Sequence, residues 1–220
     1  MENLKLRDNI KLSISCDGGA ASGKTTGARL ISKKYKLKFL SSGLLYRYAG
    51  YLFLKHRPRN KIKFLKSKIK KLNYKKLSKI NLHTEEISEL VSIIAKQKEI
   101  RSILKIYQKN FAKKYNRICI EGRDISYAIL PGADLKFYFL CNLNVAAKRR
   151  WKELKKISKR IKLSQVKKSL KIRNFNDKNR KHNPLIKLPD SIVIRTDILN
   201  KSQMVKKMSE EIDCKIKNKI

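Results

Sequence analysis

The chain has 220 residues, 41% of them hydrophobic, and sets 56 Lys and Arg against 17 Asp and Glu for a formal net charge of +39. Its length suits one α/β domain with a small insert, and its apolar content excludes global disorder; with no apolar run near the roughly 18 residues of a membrane span and no signal-like N-terminus, a cytoplasmic protein meeting no membrane is expected. So large a charge attracts polyanions, but Lys is spread from end to end among abundant Ile and Asn, so no specific nucleic-acid partner is expected beyond weak binding at low salt.

In chain order, Leu12–Cys16 reads as a short strand, followed by Gly18-Gly19-Ala20-Ala21-Ser22-Gly23-Lys24-Thr25 and a helix over about 24–35. The octapeptide matches G-x-x-x-x-G-K-[ST] at every fixed position. Glycines let such a loop curl with its N–H groups turned inward, and the next helix begins at the anion with its positive end. Lys24 can then reach the β- and γ-phosphates and the Thr25 hydroxyl can ligate Mg²⁺, so a nucleoside triphosphate site is expected. Asp17, directly before the loop, either orients Mg²⁺ through water or structures the loop.

A second strand is expected at Leu37–Leu40, then a helix over about 44–56 that starts near Ser42-Gly43 and carries Tyr46-Arg47. From His56 to Asn81, Lys crowds a weak apolar pattern and Pro58 ends the preceding helix, so a solvated, partly mobile insert is expected. One helix should cover about 85–115, with a third strand at Arg117–Glu121. Glu121-Gly-Arg-Asp124 then makes a Gly-flexed turn presenting an Arg and a carboxylate at the C-terminal edge of the sheet, where open α/β folds bind ligands. Strand Leu135–Cys141, a helix over about 144–157, a basic stretch at Lys155–Leu163, a helix over about 164–181, strand Ser191–Ile194 and a helix over about 201–217 complete the chain. The basic stretch suits a lid over phosphates or an ordinary turn. Arg173, Asp177 and Arg180 recur at i, i+4 and i+7, on one helix face. This alternation is the mark of a parallel sheet covered on both faces. Cys16, Cys119, Cys141 and Cys214 lack metal or redox spacing and read as buried reduced thiols; His56, His83 and His182 form no ligand set.

Together these features resemble the bacterial-type cytidylate kinases from about Leu12 to the last helix. The resemblance rests on the phosphate loop, Ser42-Gly43 with Tyr46-Arg47, Gly122-Arg123-Asp124, Pro131-x-Ala133-Asp134-Leu-Lys136, Arg149-Arg150, and Arg173-x3-Asp177-x2-Arg180. It implies a P-loop three-layer αβα fold with a five-stranded parallel sheet. One nucleoside monophosphate kinase domain would span 1–220, with a core at about 1–56, 116–153 and 182–220. A short acceptor-binding insert would span about 57–115 and a small lid about 154–181. The implied reaction moves a phosphoryl group from ATP to CMP or dCMP with Mg²⁺, in a monomer acting in pyrimidine nucleotide recycling. Such transfer needs two anions held in line and their charge neutralised, which Arg forks do well.

By the same resemblance, Gly18 to Thr26 with Arg149 and Arg150 would hold ATP, while Arg47 and Arg123 would grip the CMP phosphate. Ser42, Ser92, Arg101 and Asp124 would read the cytosine and Asp177 the ribose; Arg173 and Arg180 would join Lys24, Arg123 and Asp124 in catalysis. A helix-surface charge ladder at 173–180 is the plainer reading of that trio. Departures are Gly19 where the family has Pro, Ser41 where it has Asp, Ala146 for an Arg, Asn176 and Lys178 where further Arg is common, and a shorter insert. They bear on base choice, so a P-loop kinase for another acceptor such as UMP is the alternative, followed by a basic nucleic-acid-associated protein. The latter would need a clustered basic face with stacking aromatics, and Tyr46, Tyr48 and Tyr51 lie at helix spacing, as core residues do.

Overall fold

Leu12, Ile14 and Cys16 on one face and Ser15 and Asp17 on the other are all buried, so the first strand is covered on both sides. The computed structural model describes residues 10–156 and 160–218. Its first half runs β1 (Leu12–Gly18), α1 (Lys24–Lys34), β2 (Lys38–Ser41), α2 (Ser42–His56), α3 (Lys61–Lys70), a 3₁₀ turn (Tyr74–Lys79), α4 (Glu85–Ile94) and α5 (Lys98–Lys114). Then follow β3 (Arg117–Gly122), a π-type turn (Ile125–Ile129), β4 (Leu135–Leu140), α6 (Leu143–Lys155), α7 (Leu163–Asn179), β5 (Ile192–Arg195) and α8 (Lys201–Lys217). The five strands are parallel, in the order β2-β3-β1-β4-β5. Register sets Asp17 beside Gly122 and Ser41 beside Glu121, so three strand ends finish at one level.

Strand alternation divides the core. Ile118 and Ile120 of β3 enter a cluster with Leu45, Ala49 and Leu104, whereas Cys119 between them enters the opposite one, with Ile31, Phe137 and Met208. Helices α1 and α8 therefore cover one face and α2, α4 and α5 the other. A third, smaller cluster joins Ala146 and Ala147 of α6, Val166 and Leu170 of α7, and Ala20 of the loop after β1. The absence of an Arg at Ala146 has a packing consequence: its methyl is buried there.

Three expectations need correction. Of the thiols expected to be buried, Cys16 and Cys119 are, but Cys141 is half-buried and Cys214, on α8, is exposed. The 56–81 segment is not a merely solvated insert: Asn60 caps α3 and Asn73 the 3₁₀ turn, while Leu65, Ile69, Leu77 and Leu82 are buried against the α2–α5 cluster. Each such side chain contributes about 1.5–3 kcal/mol by leaving water. The helix expected over 85–115 is two. It breaks at Ala95–Gln97, without Gly or Pro, where Gln97 turns extended and the freed Ala95 carbonyl accepts from Arg101 Nη1 at 3.1 Å. A tertiary hydrogen bond replaces a helical one, which local propensity does not announce. The basic stretch at 155–163 falls partly on residues 157–159, outside the described residues.

Candidate active site

Capping separates α1 from most of its neighbours. Ser41, Asn60, Thr84 and Asn200 cap α2, α3, α4 and α8 with their side chains. Helix α1 begins instead at Gly23, with φ 79° and no side-chain cap, leaving its first N–H groups for an anion. Gly18 meets a different demand, since a Cβ there would sit 2.5 Å from the Phe139 carbonyl oxygen. The loop between them borders a cleft of about 870 Å³ at the C-terminal edge of the sheet.

The cleft gathers most residues expected there: Ala20 to Thr26, Ser42, Arg47, Arg101, Arg123, Asp124, Arg149, Arg150, Arg173, Asp177 and Arg180 all line it. They come from α1, α2, α5, α6, α7 and the turn after β3, so only the fold assembles them. The guanidinium groups are held by carboxylates and carbonyls. Arg101 pairs with Asp124 Oδ2, whose Oδ1 lies 3.5 Å from Arg180; Arg123 Nε donates to Asp177 Oδ2 at 2.8 Å. Arg180 Nε donates to the Asn183 carbonyl at 2.6 Å, fixing the residue at the end of α7. Arg47 Nη1 donates to Leu82 O and Ser88 Oγ, both at 2.9 Å, which ties α2 to the insert. Arg173 has no hydrogen-bond or ion-pair partner among the described residues.

Electrostatics follow from this crowding. Lys24 is buried and donates from Nζ to Gly19 O at 3.1 Å, with Glu121 Oε2 at 3.9 Å. Burial, and after it the charge of Arg123, lowers its pKa to about 7. Arg47 is lowered to about 9 by burial and then by Arg173 and Arg150; Arg173 is lowered to about 10 by burial and then by Arg123. Burial works to raise Asp177, but Arg123 and Arg173 outweigh it and hold the carboxyl below its ordinary range. A cleft whose cations are destabilised in its empty form gains most from a polyanion.

Several residues stand apart from the expectation. Asp17 is raised to about 6 by burial, partly offset by the N–H groups of Ile125 and Ser126, which donate to its two oxygens at 2.9 and 2.8 Å. It holds the turn that presents Arg123 and Asp124, and it is not among the residues that line the cleft. Ser92 lies outside the cleft: its hydroxyl donates to its own helix at Glu89 O, 2.7 Å away, beside a small crevice shared with Asp177 and Arg180. Arg149 is pinned to Thr196, with Nη2 donating to its carbonyl at 2.6 Å, and Thr196 Oγ1 donates to Ser22 O at 2.8 Å. Arg150 pairs with Glu153 at 3.0 Å.

Sequence reasoning missed Glu121, Ser41, Thr196 and Asn174 as parts of this site. Glu121 is buried, faces Lys24 and accepts a hydrogen bond from Ser41 Oγ; its place in the Glu121–Asp124 motif was the available signal. Asn174, one residue after Arg173, accepts from the Ala20 N–H at 2.9 Å and lies 3.1 Å from where a Gly19 Cβ would stand. The loop that lacks the expected Pro is thus braced by α7.

A family model described as cytidylate kinase matches residues 14–214. A cytidylate kinase of Rickettsia felis is 35% identical over 209 residues, 94% of this chain and 93% of that protein. One from Clostridium tetani is 32% identical, covering 94% of this chain and 96% of its own, and one from Bartonella tribocorum 38%, covering 78% and 80%. Among solved structures, an uncharacterized protein from Eubacterium ventriosum has a TM-score of 0.55 at 13% identity, covering 92% of this chain and 99% of its own. A Thermus thermophilus protein reaches 0.51 at 10%, covering 94% and 98%; both likenesses concern the fold.

Proposed function

This chain belongs to the cytidylate kinase family, and from that premise we propose that it transfers the terminal phosphoryl group of ATP to CMP and dCMP. The observation that carries the reading is the convergence of Lys24, Arg47, Arg123, Arg173 and Arg180 on one cleft beside the uncapped start of α1. Phosphoryl transfer asks for little covalent help; it asks for two phosphate groups held in line with their repulsion screened.

The loop N–H groups and Thr25 would take the ATP phosphates, with Arg149 bracing the loop through Thr196. Lys24, now hooked on the Gly19 carbonyl, would move onto the transferring group. Arg47 and Arg123 would hold the acceptor phosphate, Asp177 the ribose, and Arg173 and Arg180 the charge developing between the two nucleotides. Asp124, paired with Arg101 and 3.5 Å from Arg180, would accept from the cytosine amino group. Ser42 lines the same cleft and completes the base contact, while Ser92 would first have to leave its helix carbonyl.

Mg²⁺ fits the residues present. Among the described residues no cluster of three His, Cys, Asp or Glu could hold a metal, and this suits an ion that takes one protein hydroxyl and otherwise phosphate oxygens and water. Thr25 would be that ligand, and the bound ion would neutralise phosphate charge. No described helix is long and apolar enough to cross a membrane. The reading extends to a monomer in the cytoplasm, serving pyrimidine recycling where ATP and CMP meet.

A coupled ADP-release assay over AMP, CMP, dCMP, GMP and UMP tests the proposal. Turnover should favour CMP and dCMP by at least about tenfold over the others. Preference for UMP or for a purine nucleotide would reject the assigned acceptor.

A further inference from the structure

We propose that a second groove, between the insert and β2, binds a single-stranded polynucleotide. It is bounded by α3, the 3₁₀ turn, α5 and β2, with a volume of about 1370 Å³. That exceeds both the cleft and the roughly 300–1000 Å³ of a small-molecule site, leaving room for more than one nucleotide.

Its lining combines two features. Phe39, Tyr74, Tyr107, Phe111 and Tyr115 contribute half-buried rings. Arg29, Lys38, Lys66, Lys70, Lys75 and Lys114 contribute exposed cations, and no Asp or Glu lines the groove. In the catalytic cleft Arg101, Arg123 and Arg180 meet carboxylates, but here Arg29, Lys38 and Lys114 rest on groove rings instead. The ammonium groups of Lys38 and Lys114 lie 5.9 and 5.7 Å from the Tyr115 centroid, and the Arg29 guanidinium lies 5.5 Å from that of Phe39. A base can take the ring face and release the cation to a phosphate, the pairing by which single strands are held without sequence preference.

Lys excess pervades this chain, so cations alone do not single out the groove; the rings do. Helix α8 shows the contrast: Lys206, Lys207 and Lys217 are exposed on it, yet it contains no aromatic residue. Tyr48 and Tyr51 pack against the same α2–α5 core as Tyr74, Tyr107, Phe111 and Tyr115, and Tyr46 is buried in it, but none of the Tyr46, Tyr48 and Tyr51 ladder lines the groove. The basic face with stacking aromatics is therefore built from a different set of rings, contributed by β2, the insert and α5.

The test measures anisotropy of a fluorescein-labelled oligouridylate with the full chain at about 0.15 M salt, where remote surface charge is screened beyond about 8 Å. Three variants are compared: Tyr115→Leu with Phe111→Leu, which keeps apolar bulk; Lys66→Glu with Lys70→Glu and Lys114→Glu in the groove; and Lys206→Glu with Lys207→Glu and Lys217→Glu on α8. Both groove variants should weaken binding at least about tenfold and the α8 variant less than about threefold, with CMP kinase turnover unchanged in all. Equal weakening by the α8 variant would reduce the effect to the overall field and overturn the proposal. So would undiminished binding without the rings, no binding at this salt, or competition by CMP with a non-hydrolysable ATP analogue, which would place the strand in the catalytic cleft. Kinase turnover is read separately, so losing this proposal leaves the proposed activity untouched.

Discussion

Lys24 is hooked to a loop carbonyl at 3.1 Å, so its charge reaches phosphate only by leaving that contact. Lys24→Met should lower kcat more than tenfold, over about 1.4 kcal/mol, with an unchanged circular dichroism spectrum; retention of more than about a tenth of the turnover would remove Lys24 from the transition state. Asp124 is the residue at which the proposed base reading can be told apart from phosphate binding. Asp124→Asn supplies a donor where cytosine presents one and removes the charge that repels the uracil carbonyl. The CMP-over-UMP ratio of kcat/KM should fall at least about tenfold, whereas Arg123→Lys should weaken all monophosphates alike. The ratio is the informative readout, because Asp124→Asn also leaves Arg101 without its buried carboxylate. Asp177 gives a pH signature. Its folded pKa is below the ordinary value, so its contribution is present above the unfolded pKa of about 4 and is lost as pH falls through the folded one. Urea midpoints of wild type and Asp177→Asn should differ near neutrality and converge as the pH falls below about 4; a constant gap would mean that the carboxylate's charge does not stabilise the fold.

At the scale of elements, the insert is part of the core. Leu65 of α3 has no exposed surface and packs with the α2–α5 cluster. Leu65→Ala should cost about 2–5 kcal/mol in chemical denaturation, and a loss below about 1 kcal/mol would mean that α3 contributes little to the folded core. The same packing predicts protection of α3 amides from exchange even without nucleotide. Arg47 couples this unit to the acceptor side through Leu82 and Ser88, and the break at Ala95 sets the start of α5 so that Arg101 meets Asp124. Closure over phosphates would rest with α7, which already touches the loop through Asn174.

Across the whole molecule, 56 cationic residues face 17 carboxylates, and many of the latter are committed to the cleft or to neighbouring strands. Self-repulsion therefore opposes folding more than surface ion pairs favour it. Raising NaCl from about 0.05 to 0.5 M should stabilise the protein by on the order of 1 kcal/mol, seen as a rise in Tm of about 2–4 °C. A falling Tm would show that attractive surface pairs dominate the balance. The same field explains why the groove test is done at moderate salt, where only contacts built into the surface persist.

The phosphate loop, the alternation of strands and helices, and the family motifs were legible in the chain because each depends on neighbours in sequence: glycines at a turn, apolar residues at period two, Arg and Asp at helical spacing. The five strands came within a residue or two of their expected bounds for that reason. What sequence could not show were the partners. Asp17 spends both oxygens on backbone amides from more than a hundred positions away, and Ser92 turns back to its own helix. The insert acquires order from α5 rather than from its own weak apolar pattern, and Glu121 faces Lys24 because β3 lies next to β1 in the sheet. Local residue types determine which groups are available; only tertiary packing, by removing water and fixing neighbours, decides which of those groups remain free to meet a ligand.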